Sequence, residues 1–344
     1  FGASTARVHV MAVKTYMEDR HRVEVLLATY NGARYLNDQI DSILAQSCPA
    51  WRLTVRDDCS TDNTVQIIKD YIGKFPGKIR LIDEGSKRLG ACGNFLKLLD
   101  ASEAGYVMFS DQDDRWLPDK IGLSLRAMLE CEARHEGAPV LVHTDLYVAD
   151  RDLNVISKSF WGYQGIDPLE KSLNSLLIFN NVTGCTVMIN SALRRLATPM
   201  PQEALFHDVW LALVASAFGH IEHVGVPTVL YRQHGENVIG ATRYSLGYFA
   251  SKLASLEKTA ATLRMIVAQA GAFHSAYGTR LKKADREVVH VFSTLLEKHR
   301  AARLYSVFKY MFMGSGFLRN LGIMFLWLCI GNKGTEAAKT RAPG

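Results

Sequence analysis

The chain has 344 residues, 48% hydrophobic and 22% charged, with a formal net charge of +6, which suits one large domain with an appendage, or two domains, with a sizeable core. Its six scattered cysteines include no C-x-x-C pair, which speaks against a disulfide framework or a zinc site and for a reducing cytosol. From Glu297 onward eight bases face two acids, so the tail carries the whole excess; such a tail suits membrane phospholipid better than nucleic acid, for which no reading motif is present.

Residues 1–22 lack a basic start followed by a long apolar core and are expected to form an N-terminal extension. Val23 to Ala28 is a compact β-type run, broken by the turn residues Thr29 to Ala33, and Tyr35 to Ala45 then repeats apolar residues at helical spacing. Trp51 to Val55 predicts a second strand, with Asp62 or a neighbouring hydroxyl capping a helix over 64–75. Ile79 to Ile82 is a third short strand, and Gly90 and Gly93 mark a loop before a helix over 94–102. The buried run Tyr106 to Phe109 ends directly in Asp111, Asp113 and Asp114, and Pro118 opens the next helical pattern. Carboxylates this close repel one another and are costly to desolvate unless a cation lies between them. A hard divalent ion shared with substrate phosphates would resolve the repulsion; an acidic turn capping the next helix is the alternative.

Strand and helix alternate with short connections through this half, predicting a doubly wound, mostly parallel sheet. The clusters at 28–31, 57–62 and 111–114 each follow a strand, and in such a sheet they share one edge, where ligands bind. There is no G-x-x-x-x-G-K-[ST] loop, and no G-x-G-x-x-G after the first strand, which argues against a P-loop NTPase and a dinucleotide dehydrogenase. Further strands are expected at 140–148, entering 189, and at 226–230, with an apolar helix from Phe206 to about Phe218. Beyond residue 245 helical patterns dominate. The longest clean apolar run there, Leu321 to Ile330, is about half of what a spanning helix needs; an interfacial helix with basic anchors is expected, with a core helix or dimer contact as the alternative.

Ala28-Thr-Tyr-Asn-Gly32, Asp57-Asp-Cys-Ser-Thr-Asp62, Ser110-Asp-Gln-Asp-Asp-Arg-Trp116 and His207-Asp-Val-Trp210 together resemble family 2 glycosyltransferases of the GT-A fold. Tyr231-Arg-Gln-His-Gly-Glu-Asn237 looks like the bacterial rhamnosyltransferase branch of that family. The resemblance covers roughly residues 23–240 and implies a GT-A type, Rossmann-like mixed α/β sheet flanked by helices; the helical patterns beyond it, to which nothing in the family transfers, are expected to form a C-terminal helical extension over 241–344 that meets a membrane or a second copy. It implies nucleotide contacts from Ala28, Tyr30, Asn31, Asp58, Asn94, Asp111 and Gln112. Asp113, Asp111 and His234 would hold a divalent metal, Mg²⁺ or Mn²⁺. Arg232, His234, Gly184, Thr186 and Trp210 would lie at the diphosphate or acceptor, and Asp208 occupies the general-base position.

The implied reaction is a single inverting displacement on a nucleotide sugar, with one carboxylate activating the acceptor hydroxyl and a cation offsetting charge on the leaving diphosphate. The branch suggests dTDP-β-L-rhamnose as donor, with UDP-hexose the main competitor. The acceptor would be a lipid-linked surface glycan such as O-antigen, and the protein would sit at the inner face of a bacterial membrane, as a monomer or homo-oligomer. A sugar nucleotidyltransferase and an inactive membrane-associated scaffold are the rivals; the first would carry a basic, Gly-rich triphosphate loop, and only Arg34 lies near Thr29 to Ala33.

Overall fold

Val23–Thr29 (β1) is mostly apolar and buried on both faces, as a strand covered by helices on each side requires. It pairs in parallel with β2 (Trp51–Asp57) on one side and β4 (Tyr106–Ser110) on the other, and β2 pairs in parallel with β3 (Ile79–Leu81). The helices between them are α1 (Leu36–Leu44), α2 (Thr64–Lys74) and α3 (Gly90–Asp100). The register aligns Thr29 with Asp57 and Leu27 with Ser110, so the loops after β1, β2 and β4 leave the sheet at one level. The strand order reverses beside β1, which opens a crevice at the carboxyl ends of β1 and β4.

Past β4 the sheet turns mixed. After β5 (Arg115–Trp116) and α4 (Lys120–Arg134) come β6 (Val140–Ala149), β7 (Val155–Ser157), β8 (Met188–Asn190) and β9 (His220–Arg232). β8 runs antiparallel to both β4 and β6, β6 runs parallel to β9, and the order is β3-β2-β1-β4-β8-β6-β9-β5 with β7 on β6. β9 extends from His220, well before the expected Val226. Gly219 permits this: a Cβ there would stand 1.9 Å from the carbonyl oxygen of Pro139 at the start of β6.

This computed structural model describes residues 23–82, 87–235 and 256–330; the expected extension over 1–22, and Glu236 and Asn237 of the last motif, lie outside them. The described chain divides into two compact units. One holds 23–82, 87–159, 183–199 and 219–235, the whole sheet; the other holds 160–182, 200–218 and 256–330. The second unit is helical: α5 (Phe160–Gln164), α6 (Leu173–Leu176), α8 (His207–Phe218), α9 (Leu256–Tyr277), α10 (Lys283–Ser293), α11 (Arg300–Lys309) and α12 (Phe317–Cys329), while α7 (Ser191–Ala197) follows β8 in the first. Segments 160–182 and 200–218 thus pack with the C-terminal helices, although in sequence they interrupt the sheet.

One buried charge in the sheet sets a stability test. Glu24, the second residue of β1, is 4% exposed; it accepts hydrogen bonds from Thr54 (2.5 Å), Ser102 (2.5 Å) and Arg80 (2.8 Å). Burial alone would raise its pKa, but the bonds from Ser102, Thr54 and Arg80 hold it below the usual value. A carboxylate with a depressed native pKa contributes stability above its unfolded pKa, and that contribution is lost as pH falls through the native one. Glu24→Ala should cost about 3 kcal/mol in a denaturant melt at neutral pH, and the cost should shrink in acid.

Candidate active site

The site residues begin with the loops at the carboxyl edge of the sheet. The backbone N–H of Tyr30 donates to Gln112 Oε1 (2.8 Å), and Gln112 Nε2 donates back to the Tyr30 carbonyl (2.9 Å), tying the loop after β4 to the loop after β1. Asn31 adopts φ 47°, a left-handed conformation that Asn tolerates. Its N–H donates to Ser60 Oγ and its Oδ1 accepts from the Thr61 N–H, both at 2.8 Å. Asp57 accepts from Thr29 Oγ1 (2.9 Å) and from the Ser60 N–H (2.7 Å). Asp62 accepts from the Thr64 N–H (3.0 Å) at the start of α2, although the capping position itself is Asn63, whose side chain makes no capping bond.

Asp58 is 2% exposed and already engaged: Oδ1 accepts from Arg56 Nη1 (3.1 Å) and the Leu89 N–H (2.8 Å), and Oδ2 accepts from the Gly90 N–H (2.8 Å). An acid at the amino end of α3 is favourably placed against the helix dipole. Asn94 accepts from Arg56 Nη1 and donates to the carbonyls of Thr29 and Arg56, bridging the ends of β1 and β2. The Arg88 guanidinium lies 3.8 Å from the centre of the Tyr30 ring. Nothing in the sequence marked Arg88, an exposed base in a loop.

The acidic cluster forms a second, deeper group. Asp113 is 2.8 Å from His234 Nε2, and the His234 ring packs 4.9 Å from that of Tyr35. Arg232 donates to the carbonyls of Asp113 (2.8 Å) and Arg151 (2.7 Å) and to Asp38 Oδ2 (2.8 Å), and its own N–H donates to Asp114 Oδ1 (3.1 Å). Its guanidinium is thus given over to protein acceptors and clamps the loop after β4 to the end of β9. Asp114 has no exposed surface, and its Oδ2 has no hydrogen-bond partner among the described residues; burial, then the charges of Asp113 and Asp111, push its pKa well above the carboxylate range. Ligand atoms of Asp111, Asp114 and Cys185 lie within 4.8 Å of one another. Lys120, fully buried, sits 4.6 Å over the Trp116 ring with no hydrogen-bond partner for Nζ, and burial pushes it down to about 8.

This donor set fits a hard divalent cation. Burial and the neighbouring Asp114 and Asp111 keep the Cys185 thiol protonated, so it is a poor ligand for a soft metal, whereas carboxylates with substrate phosphate oxygens suit Mg²⁺ or Mn²⁺. Cys185 belongs to the short 3₁₀ turn Gly184–Thr186. Within it Thr186 is fully buried and donates to the Thr183 carbonyl (2.7 Å). Ala28 lies in β1 itself, one residue before its end.

Asp208 stands in the first turn of α8, in the second unit. Oδ1 accepts from the Val209 N–H (2.8 Å) and Oδ2 from Asn180 Nδ2 (3.1 Å). Burial pushes its neighbour His207 down to about 3, so that imidazole is neutral near pH 7 and a weak base. Trp210 has no exposed surface and packs against Phe273 (5.4 Å) and Tyr277 (5.9 Å). That is a core position, out of reach of diphosphate or acceptor.

Comparisons with known proteins bear on the fold and the family. The structure of S. aureus TarS in complex with UDP-GlcNAc aligns with a TM-score of 0.52 at 14% identity, covering 84% of this chain and 80% of that one. The mixed sheet and this likeness define a GT-A-type glycosyltransferase fold. Residues 24–196 match the family model described as glycosyl transferase family 2, and the chain belongs to that family. Among curated relatives, dTDP-rhamnosyl transferase RfbG of Shigella flexneri is 28% identical over 228 residues, 62% of this chain and 74% of the relative. The putative teichuronic acid biosynthesis glycosyltransferase TuaG of Bacillus subtilis is 37% identical over 110 residues, 31% of this chain and 42% of the relative.

Proposed function

We propose that the protein transfers L-rhamnose from dTDP-β-L-rhamnose, with inversion, to a hydroxyl of a lipid-linked surface glycan. The observation that carries this is the acidic loop after β4, where Asp113 meets His234 at 2.8 Å and ligand atoms of Asp111, Asp114 and Cys185 lie within 4.8 Å of one another, in a chain related to a dTDP-rhamnosyl transferase over 62% of its length. UDP-hexose is the competing donor; the TarS structure, which shares the fold, holds UDP-GlcNAc.

In this reading Tyr30 and Asn31, whose loop is fixed by Gln112, Ser60 and Thr61, receive the nucleoside. Asp58 acts by positioning: it anchors the start of α3, and the loop leading into that helix carries Arg88 over the Tyr30 ring. Asp111 and Asp113 would hold Mg²⁺ or Mn²⁺ against the donor diphosphate, with His234 orienting Asp113. When bound, that cation offsets the charge growing on the leaving nucleoside diphosphate. Arg232 keeps the two ends of the site in register through its bonds to Asp113, Arg151 and Asp38. Asp208 takes the proton of the attacking hydroxyl, and Asn180 orients its carboxylate. Attack from the face opposite the diphosphate inverts C1.

Among the described residues no helix is long and apolar enough to cross a membrane. α11 and α12 pack on each other and expose Tyr305, Phe308, Leu321 and Phe325. With the basic tail, this supports seating on an anionic bilayer, where a lipid-linked acceptor is presented. A Phe308→Ser, Phe325→Ser double variant should bind phosphatidylglycerol vesicles roughly thirty-fold more weakly in co-sedimentation, at about 1 kcal/mol per ring withdrawn; unchanged co-sedimentation would favour a second copy of the chain as the covering surface.

The reaction is tested with a panel of sugar nucleotides, scoring nucleoside diphosphate against pyrophosphate. Release of dTDP from dTDP-rhamnose above the other donors is expected. Release of pyrophosphate would instead identify a nucleotidyltransferase, and no turnover of any donor an inactive scaffold.

A further inference from the structure

We propose that a small polar cavity in the second unit seats the acceptor sugar, and that it selects a neutral pyranoside over an anionic one; this rests on the glycosyl-transfer reading above. The cavity measures about 120 Å³ and is lined by Asp167, Glu170, Phe179, Asn180, Asn181 and Arg319, among others. Cofactor and nucleotide pockets begin at roughly 300 Å³, so it takes part of one monosaccharide and no nucleotide.

Asn181 is the main pointer to a ligand. Its Nδ2 donates to the carbonyls of Asp167 (3.1 Å) and Glu170. This fixes the amide's orientation, because a flipped amide would set oxygen against two oxygens. The residue is 7% exposed, and its Oδ1 has no partner among the described residues. A buried acceptor without a donor is costly, and a sugar hydroxyl has the size and polarity to satisfy it. Asn180, the next residue, lines the same cavity and donates to Asp208 (3.1 Å). A sugar seated on Asn181 therefore lies one residue from the side chain that holds the carboxylate proposed to take its proton.

The rest of the lining suits a pyranose. Phe179 supplies an apolar surface, and its ring fits only because residue 314 is glycine: a Cβ there would stand 2.2 Å from the ring's Cδ2. Asp167 and Glu170 are held in place by accepting from the N–H groups of Leu169 and Ser172, each at 2.9 Å. Arg319 donates to the carbonyls of Gln164 (2.6 Å) and Gly165 (3.1 Å). Two carboxylates against one tethered guanidinium leave the cavity net negative. A uronate, or the diphosphate of a lipid carrier, is repelled there, so the carrier's charged group must bind elsewhere.

Saturation-transfer NMR on the full chain tests this without relying on turnover, using methyl β-D-glucopyranoside, methyl α-L-rhamnopyranoside and methyl β-D-glucopyranosiduronate as probes. Transfer to the neutral glycosides and none to the uronate is expected. The neutral signal should weaken roughly tenfold in Asn181→Leu and in the isosteric Glu170→Gln, whereas dTDP affinity stays within about twofold, as for separate sites. Equal or stronger uronate binding overturns the inference. So does an undiminished neutral signal in Glu170→Gln, whose melting temperature checks the fold. If the glycoside pattern holds but no sugar nucleotide is turned over, the reaction assignment fails and the sugar site stands. Turnover of a sugar nucleotide with no glycoside binding overturns the sugar site and leaves the reaction assignment in place.

Discussion

Asp208→Asn should lower the rate of glycosyl transfer by roughly 10²–10⁴ while nucleotide affinity stays near that of the wild type. The amide keeps an oxygen that can accept from the Val209 N–H, as the carboxylate does at 2.8 Å, so the helix start is retained. What is lost is proton affinity. No neighbouring residue replaces it: burial holds His207 down to about 3, too weak a base to accept a hydroxyl proton near neutrality. Steady-state kinetics, with dTDP binding measured in parallel, separate the outcomes. A kcat within a few-fold of wild type would remove Asp208 from the chemistry. A loss of dTDP affinity equal to the loss of rate would mean that the substitution damaged the fold.

Asp113→Ala should act on the other half of the reaction. It takes away a carboxylate proposed to hold the cation and leaves His234, now 2.8 Å from Asp113, without that partner. The affinity of dTDP in the presence of Mn²⁺ should fall by roughly 10–100-fold, to the level that wild type shows with a chelator. Asp113→Asn separates charge from geometry: it keeps a group facing His234 but removes the negative charge. If binding depends on the cation, both variants lose it. Asn behaving as wild type would indicate a positioning role for Asp113.

The sheet was legible because its strands are continuous apolar runs ending in turn residues, and a parallel register then forces their loops onto one edge. The reciprocal bonds between Tyr30 and Gln112 and the shared level of Thr29 and Asp57 follow from that register. The early residues of β9 were missed because their neighbour is β6, far away in sequence, and because the half-buried His220 to Val224 segment carries no run of apolar residues.

Less of the site could be read. The D-x-D spacing drew attention to Asp111 and Asp113, whereas Asp114 is the most deeply buried of the three. Its neighbours Cys185 and Lys120 come from a distant turn and from the buried face of α4, and such contacts leave no spacing pattern. A lysine in helical phase with Ser124 and Met128 on the buried face of α4 was the available signal. Trp210 invited a ligand role from its motif, yet its ring belongs to an aromatic core completed by Phe273 and Tyr277, which lie beyond residue 240.

Crystals grown with dTDP and Mn²⁺, with data collected at the manganese edge, test the nucleotide-binding edge most directly. The expected result is an anomalous peak coordinated by the nucleotide's diphosphate and by Asp111 or Asp113, with the base near Tyr30. A nucleotide bound away from the loops after β1, β2 and β4, or a manganese ion that touches neither carboxylate, would contradict it.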